Sequence, residues 1–184
     1  IIRFVLLYYL SIEYLGLNGL FDNILTVLSL TELGIGPAII FSLYAPLANH
    51  DLETAKSIMR IFKKAYIYIG TLILFLGLCI SPFVQHLIKV PPNIAYLNIF
   101  FLLFVIDTGI SYFYSYKKCL LIADQKQYIA NYYRGITQLI GSLFQIALVI
   151  LTHSFWVYII LRICMTFCEN FLIARKADHL YSFL

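Results

Sequence analysis

From Ala65 to Ile88 the chain runs without one formally charged residue. A helix crosses the hydrocarbon layer of a bilayer with about 20 mostly apolar residues, and its backbone is satisfied there without water. Four more stretches read the same way, at about 20–44, 94–116, 128–151 and 155–174. A shorter apolar run, Ile1 to Leu10, precedes them. Charged residues make up 12% of the chain and hydrophobic ones 62%, against about 25% and 45–50% in soluble domains. The expected fold class is therefore all-α: a polytopic transmembrane helical bundle of about six spans, the first one truncated. Ile1–Leu10 reads as the end of that first helix and not as a signal peptide, because no small-residue cleavage site follows it.

The stretch Gly16–Leu47 sets the internal logic. Leu20–Leu43 is long enough to span, yet it carries Asp22, Thr26, Ser29 and Glu32, followed by Gly34-Ile35-Gly36-Pro37. Helical spacing puts Asp22, Thr26, Ser29 and Gly36 on one face, with Glu32 at its edge. A carboxylate at mid-membrane costs several kcal/mol unless it meets a partner or water. Proline removes a donor and clashes with the preceding turn, so a backbone break is expected at Gly34–Pro37. Polar stripe and break together point to a moving helix on a translocation path; the plainer alternative is a packed helix whose polar atoms bond to its neighbours.

Ser11–Gly19 reads as a loop and Pro46 as the end of the second helix. Residues 46–64 read as a cytoplasmic interfacial segment. Asn49–Thr54 carries helix-capping residues. Leu52, Ala55, Ile58, Met59 and Phe62 form an apolar face that feeds into the third span. There, Tyr66, Gly70 and Gly77 make a small-residue stripe suited to close helix packing. Lys89-Val90-Pro91-Pro92 reads as a loop, and Lys117, Lys118, Asp124 and Lys126 as another. The fourth span carries Asp107, Ser111 and Ser115. The fifth carries Asn131, Arg134, Gln138, Ser142 and Gln145. The sixth repeats the pattern with Tyr158, Arg162, Thr166, Glu169 and Asn170.

The loops fix an orientation. Lys56, Arg60, Lys63, Lys64, Lys117, Lys118, Lys126, Arg175 and Lys176 flank one set of connections, and the opposite set holds only Lys89. Nine against one is a strong positive-inside bias, so the first set is assigned to the cytoplasm.

The net charge of +4 is small and no basic run suggests nucleic acid. Cys79, Cys119, Cys164 and Cys168 lie in or beside apolar segments without histidines at ligand spacing, so buried free thiols are expected and no metal or cofactor. His50, His86, His153 and His179 fall at helix ends or loops. No hydrolase, metalloprotease or phosphate-loop signature is present, which argues against an enzyme. The cations within spans are Arg134 and Arg162, with Arg3 at the edge of the first; the acids are Glu32, Asp107 and Glu169. One reading is a structural ion-pair network among Arg162, Asp107 and Glu32. The other is a hydrated cavity in which Arg134 and Arg162, with Asn131 and Gln138, take an anionic head group through bidentate contacts. Glu32, Asp107 and Glu169 would then couple transport to protons or sodium.

Three stretches resemble a known family. They are Tyr14–Phe21 continuing through Glu32-Leu33-Gly34-Ile35-Gly36, then Ser111-Tyr112 through Ala123-Asp124-Gln125-Lys126, and Lys176-Ala177-Asp178-His179-Leu180-Tyr181. The family is the Wzx-type oligosaccharide flippases of polysaccharide biosynthesis, within the multidrug/oligosaccharidyl-lipid/polysaccharide exporter superfamily. The likeness covers the amino-terminal half of a member and is nearest the Gram-positive branch. Asp107 and Ser182 depart from it, standing where a neutral polar residue and a proline are expected. The resemblance implies that residues 1–184 are one lobe of a two-lobe, MATE-like exporter in the bacterial cell membrane, with the second lobe as its partner. It implies a cargo of polyprenyl-pyrophosphate-linked oligosaccharide, flipped to the outer leaflet for capsule or exopolysaccharide synthesis, and it adds Arg3 to the substrate-binding residues. The rivals are a cation-coupled drug antiporter of the same superfamily and a membrane-bound polysaccharide polymerase or ligase. The short, nearly uncharged outer loops argue against the last.

Overall fold

A computed structural model describes residues 2–32, 34–87 and 96–181, with the side chains of Ile2, Arg3, Thr31 and Leu87 outside the description. The described residues form helices α1 (Ile2–Tyr9), α2 (Ile12–Ser29), α3 (Ile35–Ala48), α4 (Leu52–Ile80), α5 (Leu97–Ala123), α6 (Gln127–Thr152) and α7 (Phe155–Leu180). Two 3-10 segments, Leu30–Glu32 and Ser81–Leu87, join α2 to α3 and extend α4. No strand occurs among the described residues. The fold is an all-α helical bundle. Four stretches are long and apolar enough to cross a membrane: Leu52–His86, Leu97–Ala123, Gln127–Thr152 and Phe155–Leu180. The chain is a membrane protein on this ground.

The expected break in the second helix is present, but its form differs. The helix gives way to the 3-10 segment Leu30–Glu32, and Gly34 before α3 adopts φ 80°, a left-handed conformation that only glycine takes without strain. Pro37 sits in the first turn of α3 and breaks nothing, because a first-turn N–H has no intrahelical acceptor to lose. The expected loop at 11–19 is instead the start of α2. Glu13 lies in its first turn, which suits a carboxylate at a helix start. Pro46 lies inside α3 and does not end it; its carbonyl accepts from the Asp51 N–H at 2.8 Å. Asp51 is the N-cap of α4, its carboxylate accepting from the Thr54 N–H at 3.0 Å and the Thr54 hydroxyl at 2.6 Å. Lys117, Lys118, Arg175 and Lys176 belong to the last turns of α5 and α7, not to loops. The expected loop at Lys89–Pro92 lies outside the described residues.

α5 is the centre of the bundle. It packs against α2, α3, α4, α6 and α7, and its buried residues cover all but the face that carries Ile99 and Ile106. Its approach to α4 is as close as the small-residue stripe implied. A Cβ on Gly70 would come within 3.0 Å of the Phe113 ring, one on Gly77 would overlap Val105, and one on Gly109 would sit 2.8 Å from Leu74. The apolar core divides along the bundle axis. One cluster joins Phe21, Phe101, Phe104, Val149 and Ile159. The other joins Ile39, Leu43, Met59, Ile73, Leu120 and Ile173.

The helix ends sort into two layers. Tyr9 meets His153, Tyr14 meets Phe155, and Tyr96 meets Trp156 through their rings at one end. At the other end Lys117 pairs with Asp178, and the Tyr181 hydroxyl donates to Asp124 at 2.6 Å. All nine flanking cations therefore gather at this second end, which the positive-inside rule assigns to the cytoplasm; we call it the inner end. Only Cys119 is buried; Cys79, Cys164 and Cys168 are free but exposed on the surface of the bundle, correcting the expectation of four buried thiols. Each sits on an outward face of its helix, where lipid or further protein can cover a thiol as well as a core does.

Candidate functional site

Arg162 lies at the seam between the two apolar clusters. Its helix buries Tyr158 and Ile159 on one side of it and Ile173 on the other, so the guanidinium projects into the bundle at mid-height. Nε donates to Asp107 Oδ2 on α5 at 2.8 Å. One terminal nitrogen donates to Asp22 Oδ1 on α2 at 2.8 Å, and the other to Asn18 Oδ1 at 3.1 Å. The group stacks on the Phe104 ring at 4.3 Å, a cation–π contact available to a planar cation. The Tyr158 hydroxyl donates to Asn18 at 3.2 Å, and Gln145 on α6 donates to the Tyr158 carbonyl at 2.9 Å. One cation thereby ties α2, α5 and α7 together, and α6 joins through Gln145.

The charge balance of this centre is acidic. One guanidinium faces two carboxylates. Asp107 is 5% exposed, and its Oδ1 is buried without a hydrogen-bond partner. An unpaired carboxylate oxygen in an apolar layer is costly, and the chemistry that relieves it is a proton or a cation. A phosphate at Arg162 would have to displace two carboxylates from a guanidinium that already points three nitrogens at protein oxygens.

A second polar centre lies beside the break in α2/α3. Tyr66 on α4 donates to Glu32 Oε1 at 2.7 Å, and its oxygen is 3.6 Å from the buried Cys119 thiol on α5. Gly36 leaves the room this requires: a Cβ there would stand 3.3 Å from both Glu32 Oε1 and the Tyr66 hydroxyl. The expected ion-pair network is thus half right. Arg162 does meet Asp107, but its second acid is Asp22, and Glu32 is held elsewhere by a phenol.

The remaining candidates sit apart. Asn131, Arg134 and Gln138 are exposed along α6, and Arg134 Nε stands 3.9 Å from Glu169 Oε1 on α7. Arg3 lies in α1, its side chain outside the description. Many stripe hydroxyls are satisfied by their own helix: Thr26 donates to the Asp22 carbonyl, Ser29 to Leu25, and Ser115 to Ser111, the usual habit of Ser and Thr in apolar helices. Among the described residues, no group of His, Cys, Asp and Glu is arranged to hold a metal.

Sequence reasoning passed over Asn18 and gave Asp22 no ionic role. Asn18 was within reach, because it stands four residues before Asp22 and donates to it at 3.4 Å. Nothing in the sequence announces Tyr66 as the partner of Glu32, or Cys119 as the neighbour of Tyr66.

Compared with protein-family models, with curated proteins and with solved structures, the chain matches none.

Proposed function

We propose that this chain is a lobe of a membrane transporter that flips polyprenyl-pyrophosphate-linked oligosaccharide from the cytoplasmic to the outer leaflet by alternating access. The setting is a bacterial cell membrane making capsule or exopolysaccharide, and a second lobe completes the path. The observation that carries the transport class is the broken α2/α3 crossing. α2 ends at Ser29, the 3-10 segment Leu30–Glu32 follows and α3 begins at Ile35; Asp22 on α2 is held by Arg162 and Glu32 on the connector by Tyr66. Interrupted helices at membrane depth are tolerated where protein or a hydrated cavity covers the freed backbone. Carboxylates at that depth mark ion or substrate pathways.

The cargo rests on the resemblance of Tyr14–Gly36, Ser111–Lys126 and Lys176–Tyr181. In this reading the exposed face of α6, with Arg134, Asn131 and Gln138, meets the cargo, as does Arg3. The Arg162 centre works as a clasp. Protonation or cation binding at Asp22 weakens its hold on α2, and at Asp107 its hold on α5; Glu32 and Glu169 are further coupling groups. The excess of acid over base at Arg162 supports a second reading, a cation-coupled drug antiporter.

The test uses the full-length protein in sealed proteoliposomes loaded with a pyrophosphate-linked oligosaccharide lipid. Leaflet exchange is followed for the wild type and for Arg134→Gln, whose exposed site leaves the fold untouched. Exchange that slows at least tenfold in the variant is the expected result. Unchanged exchange removes Arg134 from the path. No exchange with any such lipid, under any ion gradient, sinks the flippase reading in favour of the antiporter.

A further inference from the structure

We infer that the inner end carries a binding site for a phosphate-bearing anion, in a recess between the first turns of α4 and the last turns of α5 and α7. The recess has a volume of about 410 Å³ and is lined by Lys56, Arg60, Lys63, Lys117 and Tyr116, with Met59 and Asp178 completing its wall. Lys56, Arg60 and Lys63 stand four and three residues apart, so they share one face of α4. Among the described residues no carboxylate pairs with any of the three. Like charges at that spacing repel one another, and the folded chain does nothing internal to relieve them.

Lys117 enters from α5. Its side chain is 14% exposed and is held at 2.6 Å by Asp178, which aims the ammonium without neutralising its neighbours. Four cations thus face one carboxylate. Tyr116 brings a hydroxyl that has no hydrogen-bond partner among the described residues, and Met59 gives an apolar flank. A guanidinium with several ammonium groups around a small concavity is the set of donors that recognises phosphate oxygens.

The positive-inside rule accounts for basic residues at this end but not for their convergence. Lys64 and Lys118 lie at the same end, directly beside Lys63 and Lys117 in sequence, yet neither lines the recess. They supply a control matched in charge and depth. The site is distinct from the Arg162 centre and from the α6 face, so its fate is independent of the transport reading. The shared chemistry is a phosphate mono- or diester, whether on an inner-leaflet lipid or free in the cytoplasm.

The experiment is native mass spectrometry of the full-length protein released from detergent, with phosphatidylglycerol or phosphatidylcholine added. Calorimetry with inorganic pyrophosphate runs in parallel. A basic residue that reaches the bound anionic head group contributes about fivefold to its retention. The wild type should therefore retain phosphatidylglycerol well above phosphatidylcholine. The triple variant Lys56→Gln/Arg60→Gln/Lys63→Gln should lose that preference by tenfold or more, and Arg60→Gln alone, at an exposed position, by about fivefold. Lys64→Gln/Lys118→Gln should stay within about twofold of the wild type. Retention of the lipid without pyrophosphate binding identifies a head-group site, and pyrophosphate binding lost in the same variants identifies a free-phosphate site. Equal losses in the Lys64/Lys118 control, or no preference in the wild type for either ligand, overturns the proposal.

Discussion

The Arg162 centre and the inner-end recess are both built from cations on helices, and they follow opposite rules. At mid-bundle one guanidinium is shared among Asp107, Asp22 and Asn18. At the inner end Lys56, Arg60 and Lys63 pair with no carboxylate among the described residues, and Asp178 in the recess wall is committed to Lys117. The difference is solvent. Away from water a charge costs several kcal/mol unless it is paired and hydrogen-bonded, so sequence and fold must provide partners. At the surface water solvates each ammonium, pairing is worth about 1 kcal/mol or less, and cations remain available to a ligand. A stripe of basic residues in a sequence therefore means little until its depth is known.

The largest expected effect tests this directly. Arg162→Ala leaves Asp107 buried with neither oxygen partnered, and losing one member of a buried pair typically costs about 3–5 kcal/mol. Arg60→Ala, on an exposed face and without a partner among the described residues, should change stability by less than about 0.5 kcal/mol. Denaturant or thermal unfolding of the two variants in the same detergent measures the contrast. Equal small effects would mean that Arg162 is solvated like Arg60, and the comparison would collapse. A double-mutant cycle of Arg162→Gln with Asp107→Asn sharpens it, with a coupling of about 1–3 kcal/mol expected for groups in one network. The double variant should be more stable than Arg162→Gln alone, because the neutral amide no longer stands as an uncompensated charge.

A smaller effect is expected at the second buried centre. Tyr66→Phe keeps the ring packed but removes the donor to Glu32, and a hydrogen bond to a charged group contributes about 1.5–3 kcal/mol. Gly36→Ala should act in the same direction by crowding the same two oxygens. If Tyr66→Phe is neutral, Glu32 is reached by water, and the break between α2 and α3 is wetter than its contacts suggest.

How much of this was legible follows the same division. The helical fold was, because apolar runs of spanning length have one solution in a bilayer. The helix ends were not. Lys117, Lys118, Arg175 and Lys176 look like loop residues by charge, but α5 and α7 carry them past the apolar layer on helices that simply continue. The Asp107–Arg162 pair was legible as two buried charges of opposite sign. Its third member was not, because Asp22 and Glu32 lie on one stripe, and only the end of α2 at Ser29 and the 3-10 segment Leu30–Glu32 send them to different neighbours. The recess at the inner end was invisible for another reason. Lys56, Arg60 and Lys63 share a helix face by spacing, but their meeting with Lys117 depends on how α4 and α5 cross.

The smallest effect expected concerns the inner end and its response to pH. Asp124 follows α5 and sits 2.6 Å from Lys126, with the Tyr181 hydroxyl donating to it at the same distance. Partial burial pushes its carboxyl upward, but the bonds from Lys126 and Tyr181 outweigh that and leave it below its ordinary 3.8. A carboxylate whose folded value is depressed adds stability above its unfolded value and loses it as pH falls through the folded one. The Asp124 contribution should therefore be constant from neutral pH down to about 5 and fade below about 4. The measurement is the unfolding midpoint of the wild type minus that of Asp124→Asn across this range. A difference that shrinks only at the acid end fits the paired surface carboxylate. A difference that instead grows as pH falls from 7 to 5 would mean that the folded value is raised, and that burial governs the inner end as it governs the Arg162 centre.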